Sequence, residues 1–329
     1  MSWKERQKVL QTIINDFRPD WVSLQYVPYG YHPKGMPLGL PRLLGSLRGN
    51  FRWHIMYHEL WVGDGDSPLK TNFYYGLIQR RIATRLHKNL HALSHTSNPY
   101  YCDRLQLAGC LNSVLPLFSN IGIIPPDPNQ RTRLLAQVGI AKDSATEDST
   151  WIFMLFGTIY PHWEPAVLLE RLERTRQLAG KSRCLVVAMG NLGAEGDAMY
   201  SEMLSKQTES LRFLRTGMLS EQQISSLLQC ADFGITTSPL LFLGKSGSTA
   251  AMLEHGLPVI VSRLERIGKS APSVSKRIIP LDQNFEQALM NTRRVLPHSG
   301  LGNIARAFAG DLGNHPAGYV QSFRCSQHG

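Results

Sequence analysis

Between residues 151 and 262 the chain alternates short, almost wholly apolar runs with amphipathic stretches. WIFMLFGTI (151–159), CLVVAMGN (184–191), SLRFLRTG (210–217), DFGITTS (232–238) and LPVIVS (257–262) read as strands. The stretches 164–178, 196–207, 220–231 and 248–256 read as helices. A strand that is apolar on both faces needs cover on both faces, which a parallel sheet with crossover helices supplies. This rhythm constrains the fold more than any single motif.

The first half has the same alternation in looser form. Residues 5–17 have a helical period, with Val9, Leu10, Ile13, Ile14 and Phe17 on one side. DWVSLQYVP (20–28) is a strand that stops at proline, a helix begins near Leu38, and FRWHIMYHELW (51–61) is a second strand. Residues 72–93 form a helix with Leu77, Ile78, Ile82, Leu86 and Leu90 on one face and Arg80, Arg81, Arg85 and Lys88 on the other. HALSHTS (91–97) and VLPLF (114–118) complete a four-strand set. The proline-led stretch 125–150 reads as a connector. The expected organisation is a first domain with its linker over 1–142, a second over 143–300 and a helical tail over 301–329.

Composition narrows the class. At 329 residues, 43% hydrophobic and 18% charged, the chain can bury two ordinary cores. Its five cysteines (Cys102, Cys110, Cys184, Cys230 and Cys325) are scattered and never in C-x-x-C spacing. That argues against a disulfide framework or a zinc site. The charged, helical start is unlike a signal peptide, and no apolar run reaches the ~18 residues of a spanning helix. The expectation is a cytoplasmic protein that needs no metal or other cofactor. Residues 1–142 hold 17 Lys/Arg against 8 Asp/Glu, a balance of +9, whereas 143–329 hold 18 against 17. A basic first half suits an anionic partner or simple solubility. No nucleic-acid recognition motif accompanies it.

One loop carries chemistry. A strand runs into Gly244-Lys245-Ser246-Gly247-Ser248-Thr249, and a helix follows. A P-loop would need a glycine at 239, where Pro239 stands. The GKS triplets at 180–182 and 268–270 fail likewise, with Thr175 and Arg263 at the required positions. The loop nonetheless lies at the C-terminal end of a strand, where open α/β sheets bind ligands. With a helix start near Ser248, the N–H groups of Gly247, Ser248 and Thr249 would face a phosphate with the positive end of the helix dipole. Lys245 would add a full charge, and Ser246 a hydroxyl. The other reading is a turn with a serine cap and a solvated lysine.

The run RTGMLSEQQISSLLQCADFGITTSP, followed by GKSGSTAAMLEHGLPVIVS, resembles the second domain of GT-B glycosyltransferases, family 4 (group 1) in particular. WIFMLFGTIYPHWEP resembles that domain's first strand. FRWHIMYHELW and HALSHTSNPYYCDRL resemble strands of the family's first domain, and the likeness extends over residues 5–295. It implies two Rossmann-like, doubly wound parallel-sheet domains facing a cleft, the first of them incomplete by about two N-terminal βα units. It also implies sugar transfer from a nucleotide-diphosphate sugar to an acceptor glycan or lipid-linked acceptor.

By the resemblance, Gly157, Thr158, Lys245, Ser246, Gly247, Ser248 and Thr249 would hold the diphosphate. Gly217 to Leu219 would receive the base, and Glu254 the ribose. His58, with Glu59, would stand beside the reacting sugar. Tyr29 and Tyr31, after another strand end, offer faces on which an acceptor sugar could stack. The basic row Arg80 to Lys88 suits an anionic membrane or a lipid-linked diphosphate, or is a solvated helix face.

Two departures stand out. Leu243 and Ala251 occupy the places of the family's paired glutamates, and TIYPHWEP replaces its basic pair after the first donor-domain strand. A non-catalytic GT-B-like protein binding a nucleotide, a glycan or a protein partner is therefore the alternative.

Overall fold

The computed structural model describes residues 1–63, 67–140, 144–264 and 275–315. The GKS triplet at 268–270 and the end of the expected tail, 316–329, lie outside the described residues. The chain divides into two compact units, one of Met1–Pro116 with the segment from Ile304 onward, the other running from Leu117 to Asn303. The sequence boundary at 142 therefore falls inside the second unit.

The first unit begins with α1 (Trp3–Phe17), opened by a reciprocal Ser2–Glu5 capping box. There follow β1 (Trp21–Tyr26), α2 (Pro28–Tyr31), α3 (Leu40–Gly45) and β2 (Arg52–Tyr57). Then come α4 (Thr71–Leu90), β3 (Leu93–Thr96), α5 (Pro99–Leu107) and β4 (Ser113–Val114). All pairings are parallel, in the order β1-β2-β3-β4. The fourth strand is shorter than VLPLF because Pro116 lacks the N–H a ladder needs.

Side chains on a strand alternate between faces. Ile55 and Tyr57 of β2 are fully buried, and the Tyr57 hydroxyl donates to Ala83 O of α4. His54 points to the opposite face, against Phe308 of α13 (Leu301–Asn314), with ring centroids 4.9 Å apart.

Two helix faces differ from their sequence reading. On α4, Leu77 and Ile78 are exposed, and the buried set is Gly76, Gln79, Ile82, Ala83, Leu86 and Leu90. Gln79 is tolerated inside because its amide oxygen accepts from Val62 N (3.0 Å) and its nitrogen donates to Lys34 O (3.2 Å). On α1 only Ile14 is buried, while Val9, Leu10, Ile13 and Phe17 stay exposed.

The second unit holds α6 (Gln130–Ala136), α7 (Ser144–Asp148), β5 (Thr150–Phe156), α8 (Pro165–Leu178), β6 (Arg183–Met189) and α9 (Ala194–Ser205). It continues with β7 (Leu211–Gly217), α10 (Glu221–Cys230), β8 (Phe233–Thr236) and a 3-10 turn over Leu240–Lys245. It closes with α11 (Gly247–Glu254), β9 (Val259–Val261), β10 (Ile278–Pro280) and α12 (Phe285–Asn291). The connector thus contains two short helices. Arg131 ties it to the sheet, bonding Cys230 O and the Asp232 carboxylate, whose Oδ2 also accepts from Ile152 N.

The order β10-β9-β8-β5-β6-β7, all parallel, reverses direction between β8 and β5. Phe153 and Leu155 feed the core on one face of this sheet, and Ile152 and Met154 the core on the other. That two-sided burial is why these strands are apolar throughout.

Candidate functional site

The reversal point of a doubly wound sheet leaves a crevice at the C-terminal ends of its two central strands. Here those ends are Phe156-Gly157 and Thr236-Thr237. Three adjacent strands end on glycines of positive φ: Gly157 (+89°) after β5, Gly190 (+88°) after β6 and Gly217 (+70°) on β7. They are tied edge to edge, with Gly157 N donating to Met189 O (3.0 Å) and Gly190 N to Gly217 O (2.8 Å). Positive φ is strained for side chains, so glycine makes each turn at low cost and leaves bare backbone.

Ser248 faces this floor from α11: a Cβ added to Gly157 would lie 3.6 Å from Ser248 Cβ. Ser246, not Ser248, caps the helix, its Oγ accepting from Thr249 N (3.3 Å). Thr249 is 1% exposed and its hydroxyl bridges Ser246 Oγ (2.9 Å) and Thr236 Oγ1 (3.0 Å). Thr249 is therefore a buried brace, and its N–H is taken by the cap. The N–H groups of Gly247 and Ser248 have no acceptor among the described residues. Lys245 ends the 3-10 turn, exposed, with its ammonium 5.9 Å from the Phe242 ring centroid. The loop thus offers two helix-terminal donors, two serine hydroxyls and a cation.

Other expected donor-side residues are distributed differently. Thr158 is exposed, its hydroxyl donating to Asn191 O (3.3 Å). Leu219, half-buried, packs against the core beneath α10. Glu254 lies on the last turn of α11, about 9 Å along the axis from Ser248, and its Oε1 accepts from Ser119 N (3.2 Å). One oxygen of this carboxylate is thus engaged by the backbone of the 117–125 segment. Ala251 is fully buried. Gly190 was missed in the sequence, although its strand ends on glycine like the two beside it.

In the first unit, His58 and Glu59 follow β2 directly, and both backbone N–H groups are held by Tyr26 O (3.1 and 3.4 Å). This is again the C-terminal edge of a parallel sheet. The His58 Nε2 pairs with Gln25 Oε1 at 2.7 Å. The Tyr31 hydroxyl donates to Gln25 O (2.8 Å) and its ring stacks on Tyr26 at 6.4 Å, whereas Tyr29 is exposed and its hydroxyl is 3.4 Å from Gln79 Nε2. Arg80, from the basic row, donates to Leu107 O and lies 5.8 Å from the Trp61 ring centroid. Among the described residues no helix is long and apolar enough to cross a membrane.

Comparison of the sequence with protein-family models and with curated proteins returns no match. The fold does match solved structures. The chain is similar to a UDP-forming α,α-trehalose-phosphate synthase from Burkholderia xenovorans, with TM-score 0.51 and 10% identity over 95% of this chain and 78% of that one. It is similar to a glycosyltransferase from Rickettsia africae, with TM-score 0.50 and 14% identity over 97% and 74%. Anabaena HepE, solved with UDP-glucose, aligns at TM-score 0.46 and 14% identity over 77% of this chain, which spans 62% of that structure. Two Rossmann-like units with four and six parallel strands are the fold of the GT-B glycosyltransferases.

Proposed function

We propose that this protein is a glycosyltransferase that takes its sugar from a nucleotide-diphosphate donor. The observation that carries the reading is the bare glycine floor of Gly157, Gly190 and Gly217, with Ser248 of the α11 N-terminus against Gly157 and Lys245 on the turn just before that helix. As the bond from the anomeric carbon to the diphosphate breaks, its electron pair passes to the phosphate oxygen. The N–H groups of Gly247 and Ser248, the serine hydroxyls and Lys245 are prearranged donors for that growing charge, the kind of term that usually dominates such catalysis. In this reading the leaving group is neutralised by protein groups without a metal. Thr158 would border the diphosphate, and the turn from Gly217 to Leu219 the base.

The acceptor hydroxyl attacks the anomeric carbon and gives up a proton. His58, at the end of β2, is proposed to take it, with Glu59 beside it and Tyr29 and Tyr31 as acceptor-side aromatic surfaces. A glycan or a lipid-linked acceptor fits this chemistry. The basic helix 80–88 is proposed to favour the lipid-linked kind at the inner face of a membrane, in a cytoplasmic protein.

Calorimetric titration with UDP, GDP and ADP tests the donor seat. One nucleotide should bind, and Lys245→Ala should weaken it at least tenfold, or ~1.4 kcal/mol. Absence of binding by all three to the folded protein would sink the reading.

A further inference from the structure

His58 ends a chain of hydrogen bonds that crosses the first unit's sheet. Ser23 and Gln25 lie two apart on one face of β1, His54 is the register partner of Ser23 on β2, and His95 is the partner of Met56 on β3. All five residues therefore share a face, and α13 brings Asp311 to its far side. From that end, the Asp311 Oδ2 is 3.0 Å from His95 Nε2, and His95 Nδ1 is 3.0 Å from His54 Nε2. His54 Nδ1 is 2.8 Å from Ser23 Oγ, which is 2.8 Å from Gln25 Nε2. Gln25 Oε1 then meets His58 Nε2 at 2.7 Å. His54 and His95 are buried to 2% and 0% exposure under Phe308, so water cannot substitute for their partners.

Such a chain has only one consistent direction when the rings are neutral. A carboxylate can only accept, so His95 must carry its proton on Nε2 and present a lone pair at Nδ1. His54 then donates from Nε2 and accepts at Nδ1, which turns the Ser23 hydroxyl proton toward it. With its proton committed, Ser23 must accept at the next contact, so Gln25 presents its NH2 there and its carbonyl to His58. That carbonyl also only accepts. The opposite direction would set a lone pair of His95 against the Asp311 carboxylate, and a flipped Gln25 amide would set two acceptors against each other at Ser23. Orientations of amides and rings follow from such a network and not from any one contact.

We propose that Gln25 is a positioning residue that fixes the proton of His58 on Nε2, in a polarity imposed by Asp311 and relayed through His95, His54 and Ser23. With Nε2 committed to Gln25, a proton from the acceptor could reach His58 only at Nδ1. This consequence rests on the glycosyltransferase reading; the tautomer itself does not. A network that merely satisfied two buried histidines would have no reason to control His58, whose surroundings are partly open to water.

The test is long-range 1H–15N correlation spectroscopy of the histidine rings in the full chain near pH 8, with the His58 signals assigned by their loss in His58→Gln. Wild type should show His58 as the Nε2–H tautomer. Gln25→Glu, which still accepts, should keep it, whereas Gln25→Lys, which can only donate, should convert it to Nδ1–H. At the far end, Asp311→Asn should leave His58 unchanged and Asp311→Lys should shift it toward Nδ1–H; the Asp311 side chain is 47% exposed, so neither change buries a charge. An Nδ1–H ring in wild type overturns the proposal. So does an unchanged His58 in Gln25→Lys, or a response to Gln25→Lys with none to Asp311→Lys. No nucleotide is present in these spectra, so failure of the donor titration would leave this result standing, and the reverse also holds.

Discussion

Replacing Gly157 with alanine separates what this glycine does for the fold from what it does for a ligand. Its φ of +89° is reached at low cost only without a side chain, and its N–H bond to Met189 O (3.0 Å) holds it there. An L-residue forced to positive φ costs about 1–2 kcal/mol. The new methyl meets no clash, since its nearest neighbours are Ser248 Cβ at 3.6 Å and Oγ at 3.8 Å. Stability should therefore fall by the backbone term alone. For a unit of roughly 190 residues that is a drop of about 2–8 °C in the melting transition of the second unit. Binding should suffer more, because the methyl stands between the glycine floor and the α11 N-terminus, where the diphosphate is proposed to lie. Calorimetry and thermal melting on the same sample give both numbers, with an expected loss in nucleotide affinity of tenfold or more, or ~1.4 kcal/mol. Unchanged affinity in a protein destabilised as expected would refute the ligand argument. An unchanged melting temperature would refute the strain argument.

Two further outcomes follow from buried polar groups. Thr249→Val keeps shape but removes the hydroxyl that bridges Ser246 and Thr236. It should cost about 1–3 kcal/mol in urea unfolding, while Thr249→Ser should recover most of the loss. His54 is pushed down to about 4 by burial and then by the neighbouring His95, whereas the unfolded ring titrates near 6.5. The unfolded state thus takes the proton first. Stability tied to the neutral ring is complete above about pH 6.5 and falls by up to about 3 kcal/mol as pH drops through 4. Unfolding midpoints of wild type and His54→Gln across that range should diverge in slope, and parallel slopes would remove His54 from the account.

The strand–helix order of both units was legible because it rests on local periodicity. WIFMLFGTI and CLVVAMGN are apolar on both faces, and only a covered parallel sheet accommodates that. The glycine at the end of the first run was singled out too, though not that of the second, and so was the cluster of small residues from Gly244 to Thr249. What chain-order reasoning could not supply is which hydroxyl faces out. Thr249 turns inward because Ser246 and the buried Thr236 satisfy its hydroxyl, a choice made by β8 packing under α11. Nor could chain order tell that a backbone N–H at Ser119, over a hundred positions away in sequence, bonds one oxygen of Glu254.

The same division holds in the first unit. His58 was singled out by the resemblance of its strand to one of the GT-B glycosyltransferases and by its position at that strand's end, both read from its neighbours in the chain. Ser23, Gln25, His54, His95 and Asp311 gave no such signal, since a lone histidine in an apolar strand reads as core. Their connection exists only because parallel register sets β1, β2 and β3 side by side and α13 returns to cover them. Sequence alone thus determined the class of fold and the strand ends where ligands can bind, because both follow from local pattern. The tertiary structure decided which polar atoms remain available at those ends, because hydrogen-bond satisfaction depends on partners that no local pattern specifies.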